Sequence, residues 1–256
     1  MSKPKVLVCN DDGINAPGIQ ALATALKKHF EVTVVAPDKQ MSAVGHAITI
    51  HSPLRVSEYK IDGEFFGYAV NGTPADCVKL ALRSIMKENQ PDLIISGINH
   101  GGNTSTSIIY SGTVSAATEA TFLGIPAIAI SLATYGVPDF SLAADYAVRL
   151  GLMVLEKGIP GGLLLNVNIP PVPKEEIKGV KVTRMGNSIW DDDFDHRKDP
   201  HDNTYYWLTG KLIIVDDADD QDEIAVSQNF ISITPIQFDL TAYKFLDELQ
   251  KWELPQ

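Results

Sequence analysis

Two adjacent carboxylates, Asp11 and Asp12, directly follow a short apolar segment at residues 6–9 and Asn10. The apolar segment is continuous and rich in valine, which is typical of a buried strand in a parallel sheet. Two carboxylates held about 4 Å apart would repel each other by roughly 4 kcal/mol at an effective dielectric constant of about 20. A shared proton, basic side chains or a metal ion must therefore offset this repulsion.

Four further polar or glycine-rich segments lie beside predicted strands and helices. They are residues 37–46, 71–76, 96–103 and 110–120. In an open parallel sheet, ligands bind outside the carboxyl ends of the strands, so these segments and the Asp pair are expected to converge on one edge. Within the last segment, Ser111, Gly112 and Thr113 begin a predicted helix. Free N–H groups and hydroxyls at that position suit an anion, and they equally suit a helix N-cap.

The oxygen donors at this edge are those that hard cations prefer. Two carboxylates, a serine hydroxyl and an asparagine carbonyl suit Mg²⁺ or Mn²⁺, and no Cys/His spacing indicates structural zinc. A hard cation beside an anion site predicts phosphate chemistry. The sequence has no Gly-x-x-x-x-Gly-Lys-[Ser/Thr] motif and no Gly-x-Gly-x-x-Gly motif after its first strand. This argues against a P-loop NTPase and a dinucleotide-binding fold.

Strand-like and helix-like segments alternate through the first two thirds of the chain. Strands are predicted at residues 6–10, 32–35, 68–70, 92–96, 126–131 and 163–168, and helices at 18–29, 74–87, 113–123 and 140–157. This alternation predicts an α/β fold with a mostly parallel sheet and helices on both faces. We expect residues 1–180 to form the catalytic core. Residues 181–256 are expected to form an α+β appendage with short strands, a β-hairpin and a final helix at 240–252.

Composition excludes several functional classes. The net charge of -11 argues against binding to a nucleic-acid polymer, since no basic stripe compensates it. No transmembrane helix or signal peptide is predicted, and Cys9 and Cys77 are expected to be core thiols, as in a cytoplasmic protein. The acidic segment 216–223 is expected to be a solvated loop.

Six segments together resemble the SurE family of survival-protein nucleotidases. They read VLVCNDDGINAPGIQAL, VVAPDKQMSAVGHAITI, NGTPADCVKLAL, PDLIISGINHGGN, YSGTVSAATEATFLGIPAIAIS and ISITPIQFDLTAY. The resemblance spans nearly the whole chain in the family's order, and the combination of NDDG, SGIN and YSGT is highly specific. It implies a metal-dependent phosphatase that acts on nucleoside 5'-monophosphates, with 3'-monophosphates and short polyphosphate as further candidate substrates.

The resemblance also implies residue roles and an assembly. One divalent cation per subunit would be held by Asp11, Asp12, Ser42 and Asn99, and the phosphate would face Ser111, Gly112 and Thr113, with Asn103 nearby. Asp11 and Asp12 would be catalytic. A Rossmann-like three-layer core and a C-terminal element exchanged within a homodimer or homotetramer are also implied.

The chain departs from the family pattern at two places. Many relatives have Arg where this chain has His100, and Gly-Ala-Gly where it has residues 43–45. Loss of that Arg is expected to alter the affinity for phosphate or base. His100 and His46 are candidate leaving-group acids, although a packed or merely exposed histidine is the more common case for each.

Two alternatives concern the nucleophile and the class of protein. Water activated by one carboxylate could attack the phosphorus atom, or an Asp could attack it covalently. The chain could also be a non-catalytic phosphate- or nucleotide-sensing module like response-regulator receivers, which place acids after a first strand. Such modules are about half this length, and their usual Lys is replaced here by Leu132 and Ala133. A structural oligomer whose acids form only turns is the third possibility.

Overall fold

A computed structural model describes residues 2–255. The strands are β1 Lys5–Cys9, β2 Glu31–Pro37, β3 Val56–Ile61, β4 Glu64–Val70, β5 Leu93–His100, β6 Ala127–Leu132, β7 Leu163–Ile169, β8 Val180–Val182, β9 Ile189–Lys198, β10 Thr204–Ile213 and β11 Ile231–Gln237. The helices are α1 Pro17–Leu26, α2 Pro74–Leu80, α3 Ser107–Tyr110, α4 Gly112–Phe122, α5 Ser141–Lys157, α6 Asp222–Ser227 and α7 Tyr243–Leu249. A π-helical turn, Ala81–Ile85, extends α2, and a 3-10 turn covers Lys174–Glu176.

The predicted mostly parallel sheet is confirmed. It has nine strands in the order β3-β4-β2-β1-β5-β6-β7-β11-β8. The strands from β4 to β7 run parallel, whereas β3 pairs antiparallel with β4 and β11 pairs antiparallel with β7. Strand β1 lies at the centre, next to β5, so the segments that follow these two strands emerge side by side.

Helices cover both faces of the sheet, as predicted. Successive residues of β1 point to opposite faces. Val6 and Val8 pack with residues of α1 and α5, whereas Leu7 and Cys9 pack with residues of α2 and α4. All four side chains are fully buried. The Asp pair therefore follows a strand that both layers of helices hold in place.

Several predicted boundaries are wrong. Helix α1 ends at Leu26 rather than 29, and α7 covers only Tyr243–Leu249. Strand β5 extends to His100, four residues beyond the predicted end, because a register shift after Ser96 lets Asn99 pair with Ser131 of β6. Asn99 is consequently held by the sheet itself rather than by a loop.

The C-terminal third divides between the sheet and a separate hairpin. Strands β8 and β11 belong to the nine-stranded sheet, so this sheet includes residues on both sides of position 180. The domain boundary at residue 180 stays a prediction. The expectation of short strands is wrong for β9 and β10, which pair over ten residues each and are mostly exposed. Within residues 2–255, no helix is both long and apolar enough to cross a membrane.

Gly18 makes the closest packing contact between α1 and β5. A Cβ atom at this position would lie 2.1 Å from the carbonyl oxygen of Ile98. Gly18→Ala should therefore lower the free energy of unfolding by about 2 kcal/mol or more, despite the better helix propensity of alanine. Urea denaturation measures this loss. Gly161→Ala, where a Cβ would meet no atom within 4 Å, is the matched control, and equal stabilities of the two variants would contradict the prediction.

Candidate active site

The turn that carries the Asp pair is fixed by its own side chains. The amide of Asn10, a fully buried residue, donates a hydrogen bond to the carbonyl oxygen of Gly13 at 2.9 Å. The N–H of Met41 donates to the backbone carbonyl oxygen of Asp11 at 2.7 Å. The segment after β2 is thereby attached to the turn after β1, and both carboxylates are held at the carboxyl edge of the sheet.

Asp11 lies against the first turn of helix α4. Its carboxylate accepts a hydrogen bond from the Thr113 hydroxyl at 2.5 Å. A Cβ atom at Gly112 would lie 2.6 Å from the Cβ of Asp11 and 2.9 Å from its Oδ2. Only glycine at position 112 therefore allows this approach. The carboxylate consequently sits at the positive end of an eleven-residue helix, which favours negative charge there.

Asp12 is bound to the extended end of β5. Its Oδ2 accepts a hydrogen bond from the backbone N–H of His100 at 3.0 Å. This bond joins the ends of β1 and β5 one residue beyond Asn99. Asp12 is less buried than Asp11, so the pair has one enclosed carboxylate and one that solvent can reach.

Burial raises the pKa values of both carboxyl groups. For Asp11 the hydrogen bond from Thr113 opposes the increase and the charge of Asp12 adds to it, which leaves the pKa at about 6 instead of 3.8. For Asp12 burial also raises the pKa, against the hydrogen bond from His100. Each carboxylate therefore lacks the stabilisation that water would give its charged form.

In the described part of the chain, the Asp pair has no Lys or Arg side chain as a salt-bridge partner, and the charge of His100 only partly opposes the effect of burial on the pKa of Asp12. Within residues 2–255, neither carboxylate takes part in a salt bridge. That part of the chain also contains no cluster of three or more His, Cys, Asp or Glu side chains that could hold an ion. A cation here would bind two carboxylates and otherwise neutral oxygens and water, which is how Mg²⁺ is commonly held. The residues present therefore fit a hard divalent cation.

The raised pKa of Asp11 makes stability depend on pH when metal is removed. Between the unfolded value of 3.8 and the folded value of about 6 the folded chain binds more protons, so its stability decreases as pH rises through this range. In EDTA, Asp11→Asn should gain about 1 kcal/mol relative to the native chain between about pH 5 and about pH 7.5. Urea unfolding at both pH values measures the gain. A stability difference that is independent of pH would contradict it.

The start of helix α4, the predicted anion site, is capped by Ser111. The Ser111 hydroxyl oxygen accepts a hydrogen bond from the N–H of Val114 at 3.1 Å, so the N-cap interpretation is confirmed. Because that oxygen acts as an acceptor, the hydroxyl hydrogen can still donate to a phosphate oxygen. The Thr113 hydroxyl, in contrast, is already committed to Asp11.

The other two predicted metal ligands form hydrogen bonds elsewhere than to the carboxylates. The Asn99 amide nitrogen donates to the carbonyl oxygen of Gly101 at 2.7 Å, which leaves its side-chain oxygen as the acceptor. Ser42 is exposed, and its hydroxyl accepts a hydrogen bond from Gln40 at 2.9 Å. The ligand roles of Asn99 and Ser42 stay predictions.

Asn103 lies in a buried amide network that the sequence analysis did not include. Its amide nitrogen donates to the Ser131 hydroxyl at 2.8 Å. The backbone carbonyl oxygen of Asn103 accepts hydrogen bonds from the side-chain amides of Asn166 and Asn168 at 2.8 and 3.1 Å. Asn166 and Asn168 alternate along the otherwise apolar strand β7, so they share one face. Two Asn residues at alternate positions of an apolar strand are the sequence signal for this network, and both are fully buried in the structure.

The expectation of a solvated acidic loop at 216–223 is wrong at its C-terminal end. Asp222 is fully buried, because its carboxylate accepts hydrogen bonds from the backbone N–H groups of Ser105 and Gly186 at 3.0 and 2.9 Å. Near the start of the segment, Asp216 forms a salt bridge with Arg184. Hydrogen bonds to Asp222 therefore connect Ser105, in the segment after Asn103, with the C-terminal third of the chain.

His46 is bound away from the Asp pair. Its Nε2 lies 3.0 Å from the carboxylate of Glu119, which also accepts a 2.5 Å hydrogen bond from Lys79. Burial raises the pKa of Glu119, but these two partners lower it more, so it lies below its usual value. Glu119 is seven residues beyond Gly112, about 10 Å along the helix axis. The packed interpretation of His46 therefore fits the structure better than a role as leaving-group acid.

One protein family accounts for most of this chain. The family described as "Survival protein SurE" matches residues 6–192. The chain belongs to the SurE family. The matched range includes every predicted site residue, from Asp11 and Asp12 to Thr113.

Members of the SurE family are similar over almost the full length. The 5'-nucleotidase SurE of Chlorobium limicola is 49% identical over 254 residues, which cover 99% of this chain and 98% of that protein. The 5'-nucleotidase SurE of Flavobacterium psychrophilum is 46% identical over 256 residues, which cover 99% of each. The crystal structure of the SurE protein from Aquifex aeolicus has a TM-score of 0.84 at 43% identity, with 96% of this chain and 98% of that one covered. The α/β fold class is confirmed.

Proposed function

We propose that this protein is a metal-dependent 5'-nucleotidase that releases phosphate from nucleoside 5'-monophosphates. The observation that carries the proposal is the position of Asp11, a buried carboxylate with no salt-bridge partner among the described residues 2–255, directly against the first turn of α4. The proposed cation site would thus adjoin the proposed anion site, an arrangement that suits metal-assisted hydrolysis of a phosphate ester. The relatives named 5'-nucleotidase SurE support the choice of substrate.

In the proposed mechanism, Asp11 and Asp12 would hold one Mg²⁺ or Mn²⁺ ion, and Asn99 and Ser42 would be further ligands. When bound, the ion supplies Lewis-acid stabilisation of the phosphoryl oxygens and lowers the pKa of water. The first turn of α4 and the Ser111 hydroxyl donate hydrogen bonds that orient the phosphate. One of the two carboxylates would accept the proton of the attacking water. As the new P–O bond forms, the bond from phosphorus to the nucleoside 5'-oxygen breaks, and that oxygen leaves as a hydroxyl after taking up a proton from solvent.

Phosphate release from a panel of substrates tests the proposal. The full chain with Mn²⁺ or Mg²⁺ should release phosphate from nucleoside 5'-monophosphates much faster than from phosphoserine or glycerol phosphate. No release from any nucleotide with either ion would refute the proposal and favour the sensing module. The stereochemical course at phosphorus, measured with a substrate made chiral by oxygen isotopes, distinguishes the nucleophiles, since a single displacement by water inverts the configuration and the two displacements of the covalent route retain it.

We also propose that the protein is a cytoplasmic homodimer or homotetramer. The β9–β10 hairpin exposes Phe194, Tyr206 and Trp207 at 60%, 63% and 59%. A two-stranded ribbon with exposed aromatic side chains is marginally stable alone, so a second copy of the chain is the partner we expect. The free thiols of Cys9 and Cys77 suit a reducing compartment. Light scattering that gives the monomer mass would contradict the assembly.

A further inference from the structure

The loop between β6 and α5, residues 133–140, is attached to the predicted site at two points. The N–H of Gly101 donates to the carbonyl oxygen of Leu132, the last residue before the loop, at 3.0 Å. The Nε2 atom of His100 lies 2.9 Å from the carbonyl oxygen of Gly136 within the loop. His100 is also the residue whose backbone N–H donates to Asp12. His100 therefore connects the loop to the Asp pair, through its side chain on one side and its backbone on the other.

Tyr135 brings an aromatic ring to the same place. A Cβ atom built on Gly101 would lie 3.1 Å from Cε1 of Tyr135 and 3.6 Å from the amide nitrogen of Asn99. The ring and the amide therefore border the same small space above Gly101. This glycine has a φ of +125°, so both its backbone conformation and its missing side chain keep the space open.

The remainder of the Tyr135 ring faces solvent. The residue is 79% exposed, although its ring rests against the backbone of Gly101. The cavity of about 410 Å³ that Thr134 and Val137 line faces α5 and residues 170–174, and Tyr135 is not part of its lining. The open face of the ring therefore lies on the surface next to Gly101 and Asn99, at the edge of the sheet that carries the Asp pair.

We propose that Tyr135 stacks against the nucleobase of a nucleoside monophosphate whose phosphate lies at Asp11, Asp12 and the first turn of α4. The proposal rests on the proposed function and adds a specificity-determining residue to it. Stacking on an aromatic ring tolerates every base, since each base has a π-face. Tyr135 should therefore distinguish nucleotides from other phosphate monoesters, with little preference among bases.

Steady-state kinetics of Tyr135→Leu and Tyr135→Phe in the full chain with Mn²⁺ test this role. Leucine preserves an apolar contact with Gly101 but has no aromatic face, and phenylalanine preserves the face. The KM for AMP should rise about tenfold in Tyr135→Leu at an unchanged kcat, and Tyr135→Phe should match the native chain. Ribose 5-phosphate, which has no base, should be hydrolysed with the same kcat/KM by all three proteins.

Three other outcomes of these kinetic measurements would overturn the proposal, and each has a different meaning. An unchanged KM for AMP in Tyr135→Leu would show that no base rests on the ring, with the nucleotidase activity intact. An equal loss with AMP and with ribose 5-phosphate would show that Tyr135 only supports the segment around Asn99 and Gly101. No phosphate release by the native chain from either substrate would refute the proposed function, and the stacking role with it.

Discussion

Asp12→Asn should lower the rate of phosphate release from nucleoside monophosphates by about a thousandfold or more, because a cation's several kcal/mol of transition-state stabilisation depends on this charge. Asparagine has the same size as aspartate, and its oxygen can still accept the hydrogen bond from the N–H of His100. The variant should therefore fold normally and lose only the negative charge. The initial rate at saturating Mn²⁺ measures the effect.

The matched control for this substitution is Asp62→Asn. Asp62 is exposed and has a φ of 51°, a conformation that asparagine tolerates, in the turn between β3 and β4. Its replacement removes one negative charge without touching the sheet edge where Asp12 lies. The control should retain the native rate. If Asp12→Asn kept even about a tenth of that rate, a metal held by the Asp pair could not be the main source of catalysis.

Gly112→Ala should lower the rate by about a hundredfold, the usual cost of misplacing a catalytic group by about 1 Å. The new methyl group would lie 2.6 Å from the Cβ of Asp11 and 2.9 Å from its Oδ2. Either Asp11 or the start of α4 must move, and both belong to the proposed site. Mn²⁺ affinity, measured by calorimetry, should decrease in the same variant because the carboxylate pair is separated.

Gly161→Ala is again the control, since its new Cβ would meet no atom within 4 Å. Both variants should be assayed at a temperature where circular dichroism shows them fully folded, so that a lost rate reflects the site rather than the fold. A native rate for folded Gly112→Ala would mean that close contact between Asp11 and α4 is unnecessary for the reaction.

Local sequence signals were sufficient for the features that depend on neighbouring residues. Thr73 and Asp76 are spaced as in a capping box, and the structure contains both of its hydrogen bonds. The Ser111 cap is equally local. Because the carboxyl ends of parallel strands lie at one edge of the sheet, the strand and helix pattern of the sequence also predicts that Asp11 lies near the start of α4.

Features that depend on distant pairing could not be predicted in the same way. The extension of β5 to His100 requires β6 as a partner, and β11 pairs with β7 across more than sixty residues of chain. The contact of Asp222 with Ser105 spans 117 residues. No local periodicity encodes such contacts, because they are selected by the packing of the whole sheet.

Metal dependence of phosphate release tests the central proposal most directly. The full chain should be dialysed against EDTA, assayed with AMP, and assayed again after Mn²⁺ or Mg²⁺ is restored, with circular dichroism recorded at each stage. If Asp11 and Asp12 hold a catalytic cation, the rate should fall to background in EDTA and return with the ion while the fold is unchanged. A folded, EDTA-treated chain that releases phosphate at its full rate would contradict that role.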